Sequence, residues 1–98
     1  MVINKTKEDS TLTVALEGRL DTTTAPQLEG ELRTEVEGVS KLIFDLASLE
    51  YISSAGLRVL LTAQKVMNKQ GEMIIRNVNS ELMDIFEVTG FVDIFTIE

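Results

Sequence analysis

Ser53 and Ser54 are the two adjacent side chains whose type and placement in this 98-residue sequence could do chemistry. They lie in the run Tyr51-Ile52-Ser53-Ser54-Ala55-Gly56-Leu57-Arg58, between the apolar residues 41–46 and the apolar-rich stretch 57–70. The order reads as strand, loop and helix, so the pair falls where a helix begins. A helix start carries unpaired backbone N–H groups and the positive end of a dipole. A hydroxyl there can cap the helix, which contributes about 0.5–2 kcal/mol. It can also carry a phosphate, because that end of a helix favours an anion.

Other chemistries fail for want of residues. The chain has no His, so a Ser-His-Asp arrangement cannot be built, and no Cys, so there is no disulfide, thiolate metal site or cysteine nucleophile. Ser54 with Gly56 is half a nucleophile elbow, but Ile52 occupies the first glycine position. No Gly-rich phosphate-binding pattern occurs. Glu29, Glu31 and Glu35 read as a solvated helix face rather than a metal site. Met67, Met73 and Met83 read as core. Sixteen acidic against nine basic residues give a net charge of −7, which argues against nucleic acid and against an anionic membrane surface. The N-terminus lacks the apolar region of a signal peptide, and no segment reaches the ~18 apolar residues of a membrane span. A single cytoplasmic domain spanning residues 1–98 is the expectation. Its size should bury roughly 65% of the unfolded chain's surface.

The elements that must position the serines follow from periodicity. Residues 2–7 are a weak strand candidate, and Glu8-Asp9-Ser10 a polar turn. In residues 11–17, Leu12, Val14 and Leu16 alternate, as in a half-buried strand, which should end at Gly18 and pair with the first strand as a hairpin. Thr24 or Ala25 precedes Pro26, which suits a helix's first turn. Ala25, Leu28, Leu32 and Val36 then recur at helical spacing up to Gly38. Leu42-Ile43-Phe44 reads as a strand covered on both faces. Leu57, Leu60, Leu61 and Met67 anchor the next helix, with Val59, Ala63 and Val66 widening its apolar arc. Its polar side carries Arg58, Thr62, Lys65 and Lys69; the last two are ordinary cations for a helix C-terminus. Met73-Ile74-Ile75 is another buried strand. Ser80 or Asn79 caps a shorter helix that ends at Gly90, and residues 91–97 supply a last strand or extension. The class is α/β: a mixed sheet with a first antiparallel hairpin and right-handed parallel crossovers.

Asp45-Leu46, followed by residues 51–61, resembles the signature of STAS domains, and within them the anti-sigma factor antagonists (anti-anti-sigma factors) of bacteria. Gly18-Arg19-Leu20-Asp21 with Thr24-Ala25 resembles the segment leading into that family's first helix, and Gly90-Phe91 its late turn. The resemblance covers nearly the whole chain. It implies a STAS fold, a mixed 4–5-stranded sheet with surrounding helices, in which Asp21 falls near the serines. It departs at one place. Many antagonists have Asp-Ser-Ser or Asp-Ser-Thr where this chain has Ser53-Ser54-Ala55, so Ser53 replaces the Asp and Ala55 a hydroxyl.

The resemblance further implies a non-enzymatic switch protein. Unmodified, it would bind an anti-sigma factor that is also a GHKL-type serine kinase, releasing a sigma factor. That kinase would phosphorylate Ser54, or as second choice Ser53, and a PP2C-like phosphatase would reverse the step. ATP and Mg²⁺ would belong to the kinase, leaving this chain with no cofactor or metal of its own. The binding surface would comprise Asp21, Thr22, Ser53, Ser54, Ala55, Gly56 and Arg58. The alternative is a STAS regulatory subunit of a membrane transporter complex. Arg58 is added on physical grounds. It lies one turn after Ser54 on the same helix face, and a cation in a first turn opposes the dipole, so either a partner or a phosphate is its counterpart, or it is a solvated surface arginine.

Overall fold

The computed structural model describes all 98 residues, Met1–Glu98. Strands β1 (Val2–Glu8) and β2 (Thr11–Leu20) form an antiparallel hairpin, closed at Asp9 with φ 54°. Helix α1 (Ala25–Glu35) leads to β3 (Lys41–Ile52), α2 (Ser54–Gln70) to β4 (Glu72–Arg76), and α3 (Ser80–Thr89) with a 3₁₀ turn (Phe91–Asp93) to β5 (Thr96–Ile97). The sheet order is β1-β2-β3-β4-β5, with every pairing after the first hairpin parallel. The expected mixed α/β sheet and element order are both present.

Because the strand order advances one step at a time, each right-handed crossover delivers its helix to the same face. The core agrees. Leu12, Val14, Leu16, Leu42, Phe44, Met73 and Ile75 from alternate strand positions join Leu28, Leu60, Met67 and Phe86 from the three helices in one cluster. Ile43 and Ile74 stand outside that cluster, on the opposite face, paired in register with each other and flanked by Thr13 and Thr96. The helices therefore cover one face rather than surround the sheet, and β3 is not a strand sandwiched between helices. The run Leu42-Ile43-Phe44 is apolar throughout because a central strand's open-face residue is still shielded by its strand neighbours.

Two strands outrun their expected ends. Gly18 does not stop β2; it passes through φ 98° and the strand continues to Leu20. β3 runs past Leu46 to Ile52, so no loop separates it from α2; Ser53 alone intervenes. The register against β2 shifts between Ala15 and Glu17 and again between Gly18 and Arg19, and each shift inserts an extra β3 residue. These bulges keep Leu46, Leu49 and Ile52 all facing the core although their spacing is not two.

The helix ends match their chemistry in part. Asn79, not Ser80, caps α3, its side chain accepting the N–H of Leu82 at 2.9 Å, and Gly90 closes it at φ 82°. Gln70 ends α2 by donating to the carbonyls of Val36 (2.8 Å) and Val39 (2.6 Å), which ties α2 to the end of α1. Met67 and Met73 are core, while Met83 is half-buried. Glu31 and Glu35 pair with Lys5, and Glu29 with Arg33.

Candidate functional site

The site lies where the parallel strands β2 and β3 end side by side. Leu20 pairs with Ile52, and the N–H of Ser53 donates to the Leu20 carbonyl at 2.9 Å. The chain then turns directly into α2, whose first residue is Ser54. On the β2 side the chain leaves through Asp21 into the start of α1. Both helices of the neighbouring crossovers thus begin at this one edge, at the carboxyl ends of the strands that precede them.

The two serines have different surroundings. Ser54 is exposed in the first turn of a 17-residue helix. Ser53 occupies the N-cap position with extended backbone, φ −98° and ψ 176°, but its hydroxyl makes no capping bond. Its Oγ is shut off from solvent and has no hydrogen-bond partner. The capping that a hydroxyl at a helix start can supply is therefore not what the Ser53 side chain does. The first N–H groups of α2 lack intrahelical acceptors, and no side chain takes the place of one.

Asp21 stands beside the serines as expected, yet its carboxylate turns back on its own loop. Oδ1 accepts the Thr23 hydroxyl at 2.7 Å, the Thr23 N–H at 3.0 Å and the Thr24 N–H at 3.2 Å. The Thr23 hydroxyl above all, with these N–H groups, holds the Asp21 carboxyl below its ordinary value. Thr24 locks the turn from the other side, donating its hydroxyl to the Arg19 carbonyl at 2.8 Å and accepting the Asp21 N–H at 2.8 Å. Asp21 is thus an organiser of the turn into α1. Its second oxygen faces Arg19 Nε at 3.7 Å.

Gly56 is buried, and its position explains why no larger residue stands there. A Cβ on it would lie 2.7 Å from Leu20 Cγ and 2.9 Å from both Ile52 Cγ1 and the Leu20 carbonyl oxygen. The first turn of α2 therefore packs directly on the last residues of both strands. Ala55 is half-buried against the core, while Thr22 and Arg58 are exposed. Thr22, Ala55 and Arg58 meet around a shallow hollow of about 170 Å³ that also touches Pro26, Glu29 and Thr62. Arg58 forms no ion pair; only its carbonyl is used, accepting the Thr62 hydroxyl at 3.0 Å. Another surface depression, about 420 Å³, lies elsewhere, between Ala47–Glu50 of β3 and the start of α3, and includes neither serine.

One neighbouring feature is not evident from spacing. The Arg19 guanidinium sits 4.2 Å from the centre of the Tyr51 ring, and Tyr51 is 38% exposed. Both residues stand in the motif segments, but their contact depends on the bulged register that pairs them across β2 and β3. No group of three or more acidic side chains gathers to hold a metal, and no helix is long and apolar enough to cross a membrane.

Comparison with known proteins places this geometry. The STAS domain model matches residues 2–98. BtrV of Bordetella bronchiseptica, provisionally named an anti-sigma factor antagonist, is 38% identical over 99% of this chain and 85% of its own length. The anti-sigma-B factor antagonist of Staphylococcus aureus is 30% identical over 94% of this chain and 87% of its own. Among solved structures, an anti-sigma factor antagonist from Mycobacterium paratuberculosis superposes with TM-score 0.88 at 23% identity, over 98% of this chain and 83% of that one. The phosphorylated form of the Bacillus cell fate determinant SpoIIAA superposes with TM-score 0.77 at 18% identity, over 99% and 91%. An uncapped helix start bearing an exposed serine, set against two strand ends by a glycine, is thus carried on a shared fold, and the chain belongs to the STAS domain family, among the anti-sigma factor antagonists.

Proposed function

We propose that this protein is a phosphorylation-switched antagonist acting in the cytoplasm as a single domain. Unmodified, it binds an anti-sigma factor that is also a GHKL-type serine kinase, and so frees the sigma factor or other client. The kinase phosphorylates Ser54, and a PP2C-like phosphatase restores the hydroxyl. Thr22, Ala55 and Arg58 form the contact surface around Ser54, with Ser53, Gly56 and Asp21 shaping it from beneath.

The observation that carries this reading is the contrast between the two serines. Ser54 is open to a kinase, whereas the Ser53 oxygen is enclosed. Phosphate adds about −1.5 to −2 charges at pH 7. Its own domain tolerates that charge, because the dipole and free N–H groups of α2 receive it. A partner seated over the same turn would have to desolvate a dianion against its own surface. Lowering affinity 10⁴-fold takes only about 5.5 kcal/mol. Arg58, one turn along, supplies a cation that can face a partner carboxylate before modification and the phosphate after it. The switch then needs no unfolding.

The test is reconstitution with the serine kinase from the same host. Wild type should bind the kinase and, with ATP and Mg²⁺, take up one phosphate and dissociate. Ser54→Ala should bind and resist release, and Ser54→Asp should bind weakly. Phosphate uptake undiminished in Ser54→Ala would refute the site. A chain that never binds or accepts phosphate would instead support the transporter-subunit reading.

A further inference from the structure

The hollow lined by Thr22, Ala55 and Arg58 opens into a longer groove between α1 and α2. The two share Glu29, Val59 and Thr62, and the groove encloses about 280 Å³. Its floor is apolar: Leu32 from α1, Val36 just past its end, and Val59, Ala63 and Val66 from α2. Val66 is 36% exposed, so this apolar arc is only partly used in the core. Gln70 closes the far end through its bonds to Val36 and Val39.

Charge marks the outer side of α2 beside the groove, where Arg58 touches the adjoining hollow and Lys65 and Lys69 stand next to the lining residues without being among them. Of nine cations, Lys5, Arg19, Arg33, Lys41 and Arg76 have carboxylate partners, and Lys7, Arg58, Lys65 and Lys69 have none. Three of these four line one exposed side of α2, beginning one turn after Ser54 and spanning about 16 Å of helix. Unpaired cations gathered on one stripe of a chain with net charge −7 call for an acidic counterpart from outside. The α1 wall differs, with Arg33 already neutralised by Glu29 at 3.2 Å and Glu37 at the rim. Both walls are helices whose mid-section backbone groups are bonded internally, so an occupant gains side-chain contacts and no strand pairing. That favours a helix laid in the groove over an extended peptide.

We propose that the α1–α2 groove is a second docking element for the partner. It receives an amphipathic helix of about three turns, with an apolar stripe on the groove floor and Asp or Glu facing Arg58, Lys65 and Lys69. The inference rests on the reading of the partner as a serine-kinase anti-sigma factor, and it extends the contact beyond the phosphorylated turn. A helix in the groove holds the partner in register, so that a change at Ser54 is felt at one end of a longer interface.

The test uses the full chain and the host's serine kinase, with Lys65→Glu/Lys69→Glu as the variant. Both side chains are exposed and unpaired, so circular dichroism should show an unchanged fold. At low salt the variant should bind the kinase about tenfold more weakly than wild type, and the difference should fade at 0.5 M salt. A photo-crosslinker replacing Val66 should attach to an acidic helical segment of the kinase. Equal affinity of variant and wild type, or a crosslink to a basic or extended segment, overturns the groove while leaving the Ser54 reading intact. No binding by wild type overturns both. Self-association of the free chain, abolished by the same variant, would assign the groove to a second copy and also overturn the proposal.

Discussion

Gly56→Ala sets two opposing effects against each other, and the structure decides between them. In a helix, Ala for Gly is ordinarily favourable by about 0.5–1 kcal/mol. Here the new methyl would fall 2.7 Å from Leu20 Cγ and 2.9 Å from Ile52 Cγ1 and the Leu20 oxygen. Leu20 and Ile52 are core residues, 0% and 2% exposed, with no room to swing aside. The Leu20 carbonyl is held by the Ser53 N–H at 2.9 Å, so moving it weakens the bond that joins β2 to the start of α2. Overpacking of this kind costs about 1–3 kcal/mol. The strained hydrogen bond adds about 0.5–1.5 kcal/mol. Net of the helix gain, Gly56→Ala should destabilise by about 2 kcal/mol, a fall in Tm of roughly 8–16 °C for a domain of this size. Urea titration followed by far-UV circular dichroism measures it. Gly30→Ala is the comparator, because Gly30 is exposed in α1 with nothing within 4 Å of its would-be Cβ. It should stabilise by about 0.5–1 kcal/mol. A Gly56→Ala protein as stable as Gly30→Ala would refute the packing of α2 on the strand ends.

Ser53→Ala removes an enclosed hydroxyl that has no partner, so it should be neutral or slightly stabilising in the same assay; a loss of about 1 kcal/mol or more would mean that Ser53 caps α2 after all. Asp21 titrates below its ordinary value of 3.8 because the Thr23 hydroxyl and the Thr23 and Thr24 N–H groups favour its charged form. Its contribution is therefore complete above about pH 3.8 and is lost as pH falls through the lower folded value. The stability gap between wild type and Asp21→Ala should accordingly stay constant from neutral pH down to that region and shrink below it. A gap that widens in acid would contradict the turn network.

Much of the fold can be read from the sequence because burial imposes simple periods. Leu12, Val14 and Leu16 announce a one-sided strand, and Ala25, Leu28 and Leu32 a helix face, and all six are buried. Residues 47–52 resist such reading. Two bulges break the period of two, so Ala47-Ser48-Leu49-Glu50 looks like a polar loop although Leu49 is 1% exposed and paired with Gly18. Gly18 misleads for a related reason, since a glycine at positive φ can end a strand or bend one that continues. At the site, the resemblance to STAS domains points to Ser54, Asp21 and Gly56, and helical spacing adds Arg58, whereas neither carries side-chain direction. That Ser53 turns its hydroxyl into the protein, that Asp21 turns back to its threonines, and that Arg19 stacks on Tyr51 all depend on rotamers and register. The unpaired state of Lys65 and Lys69 is likewise a property of the folded surface, which brings no carboxylate to them.

The central claim is that the hydroxyl of Ser54 carries a reversible phosphate. Intact and peptide mass spectrometry of the protein isolated from its own host, in growth and again in starvation or stress, tests it most directly. A species heavier by one phosphate, mapped to Ser54 and changing in abundance between the two conditions, is the predicted result. Phosphate confined to Ser53, or absent under both conditions, would contradict it.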